Sequence, residues 1–174
     1  MTGGLPRATL DGVLIRASVD GDFPTFTAIT NEVIRTSATH FAYEPLSDDD
    51  LASHWRAHRA RFPWLTLTDE AGTVLGYAKA GSWRERAAYQ WTCETTIYLA
   101  ASARGQGLGR PLYTSLLAEC VRLGFHSAVA GISLPNDASV RLHESLGFVS
   151  VGVVRHAGKK FDRWWDVGFW QKLF

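Results

Sequence analysis

The sequence predicts an α/β fold with a mixed sheet. Three observations lead there: runs of strand period alternate with runs of helical period, the breaks between them carry Gly or Pro, and no repeat, low-complexity tract or Pro/Ser-rich linker interrupts the series. At 174 residues and 46% apolar content, one domain with a sizeable core is expected without disulfide or metal staples. The predicted division is a flexible lead-in over 1–12 and a single domain over 13–174. The first stretch, MTGGLPRATLDG, lacks the apolar segment of a signal peptide, and no run is long and apolar enough for a membrane span.

Element by element, Val13 to Val19 reads as a strand. Asp22 to Arg35 reads as a helix whose apolar stripe includes Phe23, Phe26, Ile29, Val33 and Ile34. After the loop TSATHFAYEP, Ser47 is an N-cap followed by Asp48, Asp49 and Asp50, which favour the positive end of a helix running to about Phe62, where Pro63 stops it. Trp64–Thr68 and Thr73–Ala80 form a hairpin around Asp69-Glu70-Ala71-Gly72. The strand from Gln90 to Leu99 alternates, with Trp91, Cys93, Thr95, Ile97 and Leu99 on an apolar face and Thr92, Glu94, Thr96 and Tyr98 on a polar one. A helix from Leu108 to Leu123 buries Leu112, Leu116, Cys120 and Leu123 and ends at Gly124. Ala128–Ser133 is a buried strand, Asn136 or Asp137 caps a helix to Leu146 with Gly147 as its stop, and Val149–Val154 and Trp164–Trp170 are the last strands.

Composition excludes several classes of function. Eighteen Lys and Arg against 17 Asp and Glu leave a net charge of +1, which removes the footprint of a nucleic-acid or membrane-surface binder and favours small molecules. Cys93 and Cys120 stand 27 positions apart without ligand doublets, so neither a zinc site nor a disulfide framework is expected, and a reduced cytoplasmic protein fits. Of seven tryptophans, Trp91 is expected in the core, and Trp55 and Trp64 in helix and strand packing.

Four features can carry chemistry. Arg104-Gly105-Gln106-Gly107-Leu108-Gly109-Arg110 lies between a strand and a helix, where glycines and the first helical amides suit an anion; the bland reading is a Gly-rich connection. It is no dinucleotide fingerprint, since Arg110 stands where Gly is required, and no P-loop pattern occurs. Glu94 is either a solvent-facing strand residue or a general base whose pKa a cleft would raise. Ser139 and His143 share a helix face, and His143 is either a surface histidine or a catalytic one. His54 and His58 share a face without a metalloprotease glutamate and read as solvated. Finally, Trp83-Arg84-Glu85-Arg86-Ala87-Ala88-Tyr89 and Lys159-Lys160-Phe161-Asp162-Arg163-Trp164-Trp165 are cationic and aromatic, either anion-gripping or solvated turns.

The run R-G-Q-G-L-G matches the acetyl-CoA motif of the GCN5-related N-acetyltransferases. Together with T-C-E-T-T-I-Y-L, G-I-S-L-P-N-D-A-S-V-R-L-H-E-S-L-G-F and D-V-G-F-W-Q, it resembles the phosphinothricin N-acetyltransferase family from about Leu14 to the end. The resemblance implies that family's fold, a mixed, mostly antiparallel twisted sheet of about six to seven strands flanked by helices. It implies acetyl transfer from acetyl-CoA, without a metal, to the amine of phosphinothricin, with Glu94 as general base and His143 as general acid. Ile97, Tyr98 and Leu99 would meet the pantetheine. Gly105, Gln106, Gly107, Leu108, Gly109 and Arg110 would hold the pyrophosphate, and Arg104, Asn136 and Ser139 would also contact the cofactor. Arg84, Arg86 and Lys159 are candidates for the substrate's anionic groups, and Phe41, Trp83 and Tyr89 for its pocket. Trp83 and Trp164-Trp165 become candidates for the substrate wall or a homodimer seam. Methionine sulfoximine or sulfone, or another small amino acid, is the near alternative substrate; a non-catalytic CoA-binding regulatory module is the far one.

Overall fold

A computed structural model of the chain describes residues 8–10 and 12–174. Among the described residues eight strands form one sheet, β1(Ala8–Leu10), β2(Val13–Ala17), β3(Trp64–Asp69), β4(Val74–Ser82), β5(Thr92–Leu99), β6(Ser127–Leu134), β7(Val149–Lys160) and β8(Arg163–Leu173), in the order β1-β2-β3-β4-β5-β6-β8-β7. All neighbours are antiparallel except β5 and β6. The strand beyond the expected six to seven is β1, whose backbone pairs with β2 inside the predicted lead-in.

Four α-helices accompany the sheet: α1(Phe23–Thr36), α2(Asp48–His58), α3(Gly109–Arg122) and α4(Asp137–Ser145). Strand alternation divides them between two faces. Leu65, Leu67, Ala78, Ala80 and Cys93 turn toward Leu112, Leu116 and Cys120 of α3, and this cluster holds the largest core. On the other face Trp64 and Tyr77 meet Phe23 and Phe26 of α1 and Trp55 of α2. Phe26 stacks on Tyr77 with ring centroids 4.2 Å apart, so Trp55 and Trp64 pack as expected.

The capping signals operate locally. Ser47 and Asp50 exchange hydrogen bonds at the start of α2, each side chain accepting from the other's backbone N–H. Asn136 Oδ1 accepts from Ser139 N at 3.2 Å, which selects Asn136 over Asp137 as the cap of α4.

Three boundaries differ from expectation. Helix α2 stops at His58 because the amides of Arg61 and Phe62 both fold back on the His58 carbonyl. Strand β5 begins at Thr92, after a single turn of 3₁₀ helix over Ala87–Tyr89. Trp91 thereby falls outside the strand and is 53% exposed, not core; the Arg61 guanidinium lies 5.8 Å from its ring centre. The last strands are longer than expected and meet at Phe161 and Asp162, both with positive φ, as the twist of a tight hairpin demands. Phe-Asp is not the residue pair that usually announces such a turn, so alternation alone undershot it.

Candidate active site

The parallel contact of β5 with β6 is short. Thr92, Cys93 and Glu94 pair with Ser127, Ala128 and Val129, and beyond Glu94 the two strands pair no further. A cleft of about 630 Å³ opens there, between Glu94–Leu99 on one side and Ala130–Ser133 on the other. The end of α1, the loop through Thr39, His40 and Phe41, the turn at Arg104 and Gly105, and the start of α4 complete its walls.

Backbone alternation shows what the open strand presents. The amide of Ala100 donates to Leu75 of β4, while the Trp91 carbonyl accepts from His126 and Ser127 on the β6 side. Hydrogen-bonding direction alternates along an antiparallel pair. Ile97 and Leu99 therefore turn their backbone groups toward the cleft, and Tyr98 turns its own toward β4. Of the three residues expected to meet pantetheine, Ile97 and Leu99 can do so through the backbone, whereas Tyr98 contributes only its side chain. The Leu99 carbonyl is already occupied by Arg104 Nε at 3.0 Å.

The Gly-rich turn adds a second backbone surface. Gly105 and Gly107 have φ of +76° and +77°, a region where a side chain is strained, and a Cβ at either would meet nothing within 4 Å. The turn delivers the chain to the N-terminus of α3, where the Gly109 amide has no intrahelical acceptor, Arg110 N donates to the Gly107 carbonyl and Pro111 has no N–H. Gly105 and Gly109 line the cleft; Gln106 and Arg110 are exposed beside it, with Gly107 and Leu108 between them in the turn. Arg104 is not a free cation, since its guanidinium also pairs with Glu32 of α1. Asn136, Ser139 and His143 line the cleft from α4, and the cap bond of Asn136 leaves its NH₂ group to offer.

Glu94 stands at the narrow end. Burial pushes its carboxyl above the ordinary value, against the pull of Lys79 and Arg84. Its side chain also lines a second cavity of about 270 Å³ on the α2 face, shared with His54, His58, Lys79, Gly81 and Thr96. His54 and His58 are exposed, as expected of a solvated pair, yet they stand at the rim of this cavity. Tyr98 is pushed up to about 12 by burial and by Glu94.

His143 is 3% exposed and held at both nitrogens. Nδ1 lies 2.7 Å from the Ser139 carbonyl, which only accepts, so Nδ1 carries the proton. Nε2 lies 3.0 Å from the Tyr113 hydroxyl, which in turn is 2.6 Å from Thr95 Oγ1. Burial lowers the imidazole below its usual value, with the Ser139 bond opposing. Burial thus favours the neutral ring over the imidazolium.

The substrate-side candidates divide. Phe41 lines the main cleft, and Arg84 acts on Glu94 through its field. Trp83 packs edge-on against Phe169 at 5.5 Å. Arg86, Tyr89 and Lys159 are exposed and line neither cavity. Trp165 is anchored by its Nε1 donating to the Lys160 carbonyl, and Trp164 is exposed. Lys79 escaped the sequence reading, although a single Lys inside the apolar run Val74-Leu75-Gly76-Tyr77-Ala78-Lys79-Ala80 was a visible signal. Among the described residues, no group of His, Cys, Asp and Glu is arranged to hold a metal, and no helix is long and apolar enough to cross a membrane. Cys93 and Cys120 are buried and free, with sulfurs 3.8 Å apart.

The acetyltransferase (GNAT) family model matches residues 30–148. The chain belongs to this family. It is an acetyl-CoA-dependent acetyltransferase. The acetyltransferase is 44% identical over 162 residues to phosphinothricin N-acetyltransferase of Streptomyces viridochromogenes, covering 93% of this chain and 88% of the relative. It is 34% identical to L-methionine sulfoximine/L-methionine sulfone acetyltransferase of Salmonella typhimurium, covering 90% and 92%. Its fold superposes on a phosphinothricin acetyltransferase from Sinorhizobium meliloti, in complex with acetyl-CoA, with a TM-score of 0.91 at 32% identity, covering 94% and 89%.

Proposed function

We propose that the protein acetylates the α-amine of phosphinothricin or a close analogue, such as methionine sulfoximine or sulfone, by direct attack without a covalent enzyme intermediate. The observation that carries this reading is Glu94, a carboxylate raised by burial where the open edge of β5 meets the second cavity. A base must accept a proton from an ammonium near neutral pH, because only the free amine is nucleophilic, and a raised carboxyl suits that task. Names of relatives support both substrate types.

Acetyl-CoA supplies an activated acyl group as a thioester. The backbone of Ile97 and the Leu99 amide are free to bind an extended amide chain, and one such N–H can polarise the thioester carbonyl. The turn from Gly105 to Arg110 and the α3 N-terminus suit the pyrophosphate. Asn136 and Ser139 complete the cofactor side. His143, with its Nδ1–H on the Ser139 carbonyl, serves as the acid only after taking up a proton; in its neutral form it fixes the wall of the cleft through Tyr113. The exposed apolar residues of β7 and β8, among them Val149, Val151, Val153 and Trp164, support a homodimer. The free cysteine pair suits a cytoplasmic protein.

The test is turnover of phosphinothricin, methionine sulfoximine and methionine sulfone with acetyl-CoA, ranked by kcat/KM. Equal and poor values for all three sink the substrate assignment, and full activity of Glu94→Gln removes Glu94 from the mechanism.

A further inference from the structure

Lys79 offers an amine that the acetyl-transfer scheme does not use. It projects from β4 on the α2 face, partly buried, with its ammonium 4.6 Å from the centre of the Trp64 ring. Among the described residues its Nζ has no hydrogen-bond acceptor and makes no ion pair, yet it lines the second cavity. Desolvation weakens its charged form, and Glu94 is the group that favours it. An ammonium in this partly buried position, left with only a ring face and a carboxylate it does not meet, lacks its full complement of acceptors.

Register fixes its relation to Glu94. Lys79 stands opposite Thr96, and Glu94 stands opposite Gly81, so the two charged side chains are diagonal neighbours on one face. They attract each other without meeting. Gly81 presents no side chain, and a Cβ there would meet nothing within 4 Å, which leaves the room beside Glu94 open. In an α-amino acid the amine nitrogen and a carboxylate oxygen are about 3 Å apart, and charge-assisted hydrogen bonds of about 2.8 Å extend each end. For such a zwitterion Glu94 offers an acceptor for the amine protons and Lys79 a donor for the carboxylate, and both line the same cavity.

Resting on the reading that this site acetylates an α-amine, we propose that Lys79 binds the α-carboxylate of the acceptor in the cavity beneath α2, so that Glu94 and Lys79 together select α-amino acids over simple amines. A ligand anion at this ammonium has two possible sources, the α-carboxylate or an anionic side chain. The geometry favours the α-carboxylate, because it is the group held closest to the amine that Glu94 must reach.

The experiment compares methionine sulfone, phosphinothricin and 3-(methylsulfonyl)propylamine, the amine that methionine sulfone becomes without its carboxylate. Each is assayed with wild type, Lys79→Met and Lys79→Arg. Wild type should prefer methionine sulfone to the amine. Lys79→Met should lose about 10- to 100-fold in kcat/KM on both amino acids, chiefly through KM, and little on the amine, while Lys79→Arg retains much of the selectivity. Melting temperatures should show both variants folded, since neither adds a buried charge. Equal loss on the amino acid and the amine, or no loss, overturns the assignment. A loss confined to phosphinothricin gives Lys79 to the side-chain anion and also overturns it. Wild type that turns over the amine as well as the amino acid overturns the role of Lys79 but keeps the acetyl-transfer reading; wild type that acetylates none of the three overturns both.

Discussion

The two sides of Glu94 are built on different principles. The proposed cofactor side consists mostly of backbone: the open edge of β5, the left-handed glycines at 105 and 107, and the Gly109 amide at the start of α3. The proposed acceptor side consists of side chains brought from α2, β4, β5 and the loop through Phe41. A backbone surface tolerates side-chain drift so long as its turn geometry is kept. A side-chain surface changes specificity with single substitutions. This division suits a fold that keeps one acyl donor and varies its acceptor.

The largest test falls on the junction. Glu94→Gln should lower kcat by about 10²- to 10⁴-fold with acetyl-CoA binding kept, measured by steady-state kinetics and by titration of the cofactor. Because burial raises the Glu94 carboxyl above its usual 4.5, the acid limb of the wild-type rate profile should lie above that value, and the variant should lack it. Loss of cofactor binding in the variant would erase the distinction between the two sides.

His143 belongs to the cofactor wall yet is made of side-chain chemistry. His143→Ala should slow transfer by about 10- to 100-fold, and His143→Gln, which retains an N–H, should recover part of the rate. Because burial favours the neutral imidazole, the alkaline limb of the pH profile should be the same in wild type and variant. A limb that moves with the substitution would mean that the charged ring donates the proton.

A smaller effect tests the backbone side by itself. Gly107→Ala strains a residue at φ +77° without any steric contact, so a cost of about 1 kcal/mol and a rise of about five- to tenfold in KM for acetyl-CoA are expected, with kcat kept. Gly109→Ala should do less, because its Cβ would sit in ordinary contact, 3.5 Å from Leu142. If both variants instead alter acceptor selectivity, the two sides are not separable.

The smallest effect is on stability. Since the Glu94 carboxyl is raised in the folded state, its ionised form opposes folding at neutral pH. Glu94→Gln should therefore raise Tm by about 1–3 °C near pH 7. The gain should vanish as pH falls below the ordinary carboxylate value, where the wild-type group is protonated in both states. Equal Tm values at neutral pH would mean that the raised carboxyl carries no folding cost.

By itself the sequence determined what depends on near neighbours. The helix caps at Ser47 and Asn136, the Gly-rich turn, the hairpin at Asp69–Gly72 and the alternation that turns Glu94 away from Cys93 all follow from residues a few positions apart. The resemblance to phosphinothricin N-acetyltransferases rested on the same local motifs, which is why the family was legible. Tertiary structure alone decided where β5 and β6 part, because strand separation depends on pairing between segments more than thirty residues apart. It also decided that Trp91 faces solvent, that His143 is locked between Ser139 and Tyr113, and that Lys79 rather than Lys159 or Arg86 joins Glu94 at a cavity. Burial and charge proximity arise when distant segments meet, and no periodicity along the chain encodes them.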